Sequence, residues 1–142
     1  MKTTENFKII GSFIKDMSSE TPDAQTYIFV RDKISKYKLN IDINSKAVKK
    51  GIIEVNTIIK FADQPEILKK SHFEIVYTSV VKVDEKISDK KEMEKIILCD
   101  VPNKIYPDLE RIFLNLLTDS GFPGIKIEKK IDFTELYKQR AN

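Results

Sequence analysis

Apolar residues follow two rhythms along this chain, a period of two over its first half and a helical period beyond it. Period-two alternation sends successive side chains to opposite faces, so it marks strands with one buried face. Phe7, Ile9, Gly11 and Phe13 share one face against Lys8 and Ser12, with Ile10 and Ile14 making both faces partly apolar. Tyr37, Leu39, Ile41 and Ile43 alternate with Lys36, Lys38, Asn40, Asp42 and Asn44. Ile53, Val55, Ile59 and Phe61 alternate with Glu54, Asn56 and Lys60. Phe73, Ile75, Tyr77 and Val81 do the same with His72, Glu74, Thr78 and Lys82.

Turn-forming residues divide these stretches: Pro22-Asp23, Lys49-Lys50-Gly51 and Ala62-Asp63-Gln64-Pro65. The last two connections are short enough for antiparallel neighbours, which predicts a meander. From Ser88 the period lengthens. Met93, Ile96 and Ile97 mark a first helix, with Ser88 as N-cap and acidic residues in the first turn. A longer helix is predicted from about Tyr106 to Ser120, with Pro107 in its first turn. Its buried stripe is Leu109, Ile112, Phe113, Leu116 and Leu117. Gly121 supplies a left-handed C′ residue and Pro123 stops the helix. A short extended piece, Ile125-Lys126-Ile127, leads to a terminal helical patch of Phe133, Leu136 and Tyr137, capped by Asp132. Strands first and helices afterwards predict one α+β domain over residues 1–142, a four-stranded antiparallel meander backed by C-terminal helices.

Composition narrows the function classes without choosing one. Hydrophobic residues make up 41% and charged residues 33%, and 25 basic against 22 acidic residues give a net charge of +3. So small and dispersed a surplus does not by itself argue for nucleic acid. The single Cys99 excludes an intramolecular disulfide, offers no metal spacing, and reads as a buried structural thiol of a reducing compartment. The longest apolar runs are of the size of Tyr27-Ile28-Phe29-Val30, so neither a transmembrane helix nor a signal-peptide core is predicted, and the expected location is cytoplasmic. His72 is the one histidine, with no Cys or second His beside it and no nucleophile–base constellation around it. The expectation is therefore no catalytic residue, no metal and no cofactor. Lys46, Lys49, Lys50, Lys69 and Lys70 read as solvated turns, because no Gly-rich loop or helix start accompanies them.

Three strings carry a resemblance. The first is Lys15-Asp16-Met17-Ser18 with Glu20, Pro22 and Ala24. The second, Val101-Pro102-Asn103-Lys104-Ile105-Tyr106-Pro107, opens the long helix. The third is Gly121-Phe122-Pro123, followed by Asp132-Phe133 and Leu136-Tyr137. In this order and spacing, spanning about Phe7 to Arg140, they resemble the SecB family of export chaperones. The resemblance implies a four-stranded antiparallel sheet backed by helices, assembled as a homo-tetramer that is a dimer of dimers. It also implies a holdase that takes unfolded precursor proteins into apolar grooves and delivers them to the SecA motor. Acidic residues on an exposed sheet face take part in SecA docking in the family, and by position these correspond to Asp16, Glu20 and Glu74.

The chain departs from the family pattern in several places. It is slightly basic where relatives are commonly acidic, His72 stands at an apolar position, and Thr78-Ser79 replaces a Gly-Gly pair. It stops at Asn142, without the extended tail that in the family engages the zinc-binding end of SecA. These departures leave holdase action intact and put efficient hand-over in question. They also fit SecB-like proteins dedicated to the antitoxin of a toxin–antitoxin pair.

Two site expectations follow. Tyr27, Ile28, Phe29 and Val30 are apolar on both sides and lie in a connection that would otherwise be polar, which makes them the groove candidate. The fourth strand is apolar on both faces, so a second burial surface is expected, with Phe73, Ile75 and Tyr77 as oligomer-interface candidates. A competing reading, single-stranded nucleic acid bound by Lys36, Lys38 and Lys60 with Tyr37 and Phe61, is weakened because rings and charges alternate onto opposite faces.

Overall fold

A computed structural model describes residues 6–63, 70–127 and 131–141. Its four strands are β1 (Phe7–Glu20), β2 (Lys38–Lys49), β3 (Ile52–Ala62) and β4 (His72–Val83). They form one antiparallel sheet in the order β1-β4-β3-β2. The meander holds for β2, β3 and β4, and β1 joins the far side of β4. The turn at Ala62-Asp63-Gln64-Pro65 lies partly outside the described residues.

Alternation is preserved along β3 and β4, so Ile53, Val55, Ile59 and Phe61 share the helix-facing side with Phe73, Ile75, Tyr77, Val81 and Val83. Glu54, Asn56, Ile58 and Lys60 turn to the outer face with His72, Glu74, Val76, Thr78, Val80 and Lys82. In β1 the alternation breaks. Register shifts at Ile9/Gly11 and Ile14/Asp16 put Phe7 and Ile9 on the helix side but Gly11 and Phe13 on the outer face. The expected single face Phe7-Ile9-Gly11-Phe13 is thus corrected, because each bulge inserts one residue and flips every side chain beyond it.

The connection from β1 to β2 contains a helix that alternation did not reveal, α1 (Ala24–Arg31). Asp23 caps it: one side-chain oxygen accepts from the Thr26 amide at 2.8 Å and from the Thr26 hydroxyl at 2.7 Å. Thr26 and Val30, one turn apart, are its buried residues.

On the helix side, α2 (Lys90–Lys95) is capped by Asp89 rather than Ser88, and a π-helical stretch, Ile96–Asp100, runs without a break into α3 (Val101–Asp119). The long helix therefore starts before Tyr106, and Pro107 lies inside it. Its inward stripe of Val101, Ile105, Leu109, Phe113 and Leu117 extends two turns earlier than the periodicity suggested, and packing overrides the lost Pro107 amide bond. Its end matches expectation. Gly121 takes φ +98, Phe122 N–H donates to the Leu117 carbonyl at 2.8 Å, and Gly121 N–H to that of Thr118 at 3.1 Å. The last helix, α4 (Phe133–Ala141), is capped by Asp132, which accepts from the amides of Thr134 and Glu135. Ile125-Lys126-Ile127 forms no strand.

The main core lies between the sheet and α3, built on Ile59, Phe61, Phe73, Ile75, Leu109, Phe113 and Leu117. Phe61 and Phe113 meet edge-on at 5.2 Å, as do Phe73 and Phe122 at 5.7 Å. Tyr106 packs on Phe133 with its hydroxyl buried and unbonded, and burial, helped by Glu110, pushes that hydroxyl up to about 12. Among the described residues, no helix is long and apolar enough to cross a membrane.

Candidate functional site

Strand β2 is an edge strand with the core on one side only, so its helix-facing residues have nothing beyond them to complete their burial. Leu39, Ile41 and Ile43 are each half-buried, and together they floor an open furrow. At one end a cavity of about 550 Å³ is walled by Ile34, Tyr37, Phe113, Ile125 and Ile127. Leu39 and Ile131 pass it on to a middle section under Leu136, and Ile41 and Leu136 pass that on to Ile43, Leu98 and Tyr137. Asp42, Asp132, Glu135 and Lys126 supply the polar rim.

The same residues offer backbone. The Ile43 amide donates to the Asp42 carboxylate at 3.0 Å instead of to β3, so it points to the free edge. In an antiparallel strand this direction repeats at every second residue, so Leu39 and Ile41 also aim N–H and C=O outward. An extended chain laid beside β2 would find apolar floor at all three positions, with outward backbone N–H and C=O at Leu39 and Ile41 and the Ile43 amide already taken by Asp42.

The structure divides the groove expected at Tyr27–Val30. Val30 is core, at 1% exposure, and lines no accessible surface. Tyr27 is half-buried, its ring tilted against that of Phe122 at 5.2 Å, with its hydroxyl donating to the Gly121 carbonyl at 2.7 Å. Ile28 and Phe29 alone stay exposed, on the outer side of α1, with the Lys33 ammonium 4.8 Å above the Phe29 ring. The helix explains the split, since Tyr27 and Val30, three residues apart, share the inward face and the two residues between them turn outward.

Phe73, Ile75 and Tyr77, expected at a subunit interface, are buried inside the monomer, at 2%, 0% and 8% exposure. The unsatisfied apolar surface lies elsewhere. Ile10, Phe13, Ile14 and Met17 of β1 are each 43–55% exposed, along the opposite free edge of the sheet. The alternation places Phe13 on the buried face, with Ile10 and Ile14 making both faces partly apolar, but it does not mark the four as one exposed edge, because the two bulges scatter them over both faces. Asp16, Glu20 and Glu74, by contrast, are brought together. Asp16 pairs with Val76, Ser18 with Glu74 and Glu20 with His72, which puts all three carboxylates in one corner of the outer face. Lys60 stands 3.9 Å from Glu74. Beside this corner a polar chain crosses the face: Lys15 reaches Glu54 at 2.9 Å, and Asn56 donates to both Glu54 and Asn44 while accepting from Thr78. The Asn56 bond first, then Lys15, holds the Glu54 carboxyl below its usual range. Tyr37 and Phe61, the rings of the nucleic-acid reading, are buried in the core and offer no stacking platform. Among the described residues no cluster of His, Cys, Asp and Glu could hold a metal.

The comparisons bear on this geometry. The family model described as "Preprotein translocase subunit SecB" matches residues 1–142. A SecB protein of Pelagibacter ubique (strain HTCC1062) is 90% identical, over 98% of this chain and 99% of its own length. The protein-export protein SecB of Rhodospirillum rubrum is 29% identical, over 94% of this chain and 81% of its own. Among solved structures, a SecB-like chaperone of Mycobacterium tuberculosis in complex with a ChAD peptide from an antitoxin superposes with a TM-score of 0.67. It covers 89% of this chain and 88% of its own, and at 11% identity the likeness shows the fold alone.

Proposed function

The chain belongs to the SecB family of protein-export chaperones, and we propose that it holds unfolded precursor proteins along the furrow beside β2. The observation that carries the proposal is the coincidence of floor and edge, where Leu39, Ile41 and Ile43 present apolar side chains and the first two also present outward backbone groups. Main-chain pairing demands no client sequence, and apolar burial contributes roughly 25 cal/mol per Å² whichever residue supplies it. Few contacts per segment make short peptides bind weakly, while long chains that engage several furrows bind tightly. Binding the unfolded state delays folding by mass action, without chemistry. Ile28 and Phe29 are a second apolar contact on the same client.

The furrow is tested by refolding. At stoichiometric concentration the protein should delay recovery of a slow-folding client, and Ile41→Glu should abolish the delay while leaving the fold cooperative. Unchanged delay by that variant would remove the furrow from the account.

The assembly we propose is a homo-tetramer built as a dimer of dimers, in the cytoplasm, with β1 as the edge where two copies pair. Its exposed apolar row and unpaired backbone support this. Asp16, Glu20 and Glu74 form the surface offered to SecA, steering encounter by charge, so the association weakens with salt. A dedicated antitoxin client is the second reading. It rests on a shared fold, whereas 90% identity to an export-named relative favours precursors.

A further inference from the structure

The tip of the β2–β3 hairpin lies beyond the furrow and away from the β1 edge. It reads Lys46-Ala47-Val48-Lys49-Lys50-Gly51. A register shift between Ala47 and Lys49 leaves Val48 without a cross-strand partner, and its side chain is 55% exposed. Gly51, at φ +77, closes the turn. Lysines continue across the outer face from there, since Lys49 pairs with Ile52, Ile52 with Lys82 and Lys82 with Lys8. Lys8 and Lys82 are direct cross-strand neighbours of like charge, an arrangement that costs stability. Among the described residues, Lys8, Lys46, Lys49, Lys50, Lys82 and Lys86 at this end meet three carboxylates, Asp84, Glu85 and Glu54, the last opposite Lys46. Glu54 is already held by Lys15, and Asp84 accepts from the Lys86 amide. Among the described residues, Lys8, Lys46, Lys49, Lys50 and Lys82 form no ion pair.

We propose that this hairpin end docks on an anionic lipid surface, with the lysines against headgroup phosphates and Val48 entering the headgroup layer. Charge complementarity selects an anionic partner, and a lone aliphatic side chain at a protruding tip selects a soft one. Single-stranded RNA fits less well, because no ring is presented there: Phe7 is buried, and Phe13 sits farther along the sheet opposite Thr78. The tip is on the β2–β3 side of the sheet, so it stays open when copies pair along β1. Cargo furrow and lipid contact then occupy successive parts of one strand, and a loaded chaperone can touch the membrane without covering its client. This second surface goes beyond the export reading.

Flotation of the full-length oligomer tests it, with vesicles of phosphatidylcholine plus phosphatidylglycerol against vesicles of phosphatidylcholine alone. Binding to the anionic vesicles only is expected, and it should weaken as salt rises. Neutralising Lys46, Lys49 and Lys50 to Ser should lower affinity about fivefold per lysine, on the order of a hundredfold together. Val48→Asp should lower it severalfold, and both variants should still delay client refolding. Equal binding to uncharged vesicles, retention by the triple variant, or binding of single-stranded RNA without vesicle binding would overturn the proposal. A failed refolding assay would instead strike the export reading and leave the vesicle result standing.

Discussion

Strands β1 and β2 are the two edges of one sheet, and both leave backbone groups unpaired, yet their surroundings differ. From Gly11 to Glu20 every residue of β1 is exposed, on both faces, although the Ser19 hydroxyl meets that of Ser120, at the end of α3, at 2.7 Å. Over Lys38 to Ile43, strand β2 is exposed only toward the outer face, and its other side floors a furrow walled by Ile125, Ile127, Ile131 and α4. An edge open on both faces suits a partner that covers it once and stays, such as a second copy. An edge with a recess beside it suits a chain that lies down, is held by several shallow contacts and leaves. Edge strands ordinarily carry devices against pairing. Here bulges break β1 without capping it, and along its furrow segment β2 is blocked at Asp42, whose carboxylate holds the Ile43 amide.

The largest effect is expected at β1. Replacing Ile14 and Met17 with Asp removes two exposed apolar side chains, each contributing about 1.5–3 kcal/mol when buried, and should weaken subunit association more than a hundredfold. Sedimentation equilibrium reads this as a fall in mass, with the thermal midpoint of the separated subunit little changed. Next comes Gly121→Ala, which touches neither edge but the crossing between them. A Cβ there would lie 2.6 Å from the Tyr27 ring at φ +98, so a loss of about 2–3 kcal/mol is expected in denaturant unfolding. Client affinity per folded molecule should stay unchanged. Leu136→Glu, on the exposed rim of the furrow, should cut client retention about tenfold without changing oligomer mass. The smallest effect is on pH. The carboxyl of Glu54 is held low in the folded chain, so its stabilisation is present above the unfolded carboxylate range and lost as pH falls through the folded value. Glu54→Gln should flatten that acid limb in urea titrations between neutral and acid pH.

Much of the fold was legible because β2, β3 and β4 each bury one face, and burial of one face is what alternation encodes. The Gly121 ending and the Asp132 cap were legible because local backbone geometry fixes them. Strand β1 was misread where bulges at Ile9/Gly11 and Ile14/Asp16 reverse the parity that alternation assumes. Helix α1 was missed because its buried pair is Thr26 and Val30, a polar and an apolar residue, so no apolar period exists. The signal that would have found it is Asp23 three residues before Thr26, a capping spacing. The acidic corner could be read from the resemblance, and the register brings its members together. The furrow could not, since it is assembled from residues between Ile34 and Tyr137 whose side chains meet only through the tertiary fold. A hint lay in Ile125, Ile127 and Ile131, apolar residues after a helix stop that no helix or strand required.

The central claim is that clients lie against β2. Hydrogen exchange of the backbone amides, with and without a saturating unfolded client, tests it most directly. Slowed exchange at Leu39 and Ile41, with β1 amides already slow and unaffected by client, is the expected result. Unchanged exchange at both residues, with new protection on the outer face around Glu74, would contradict the account.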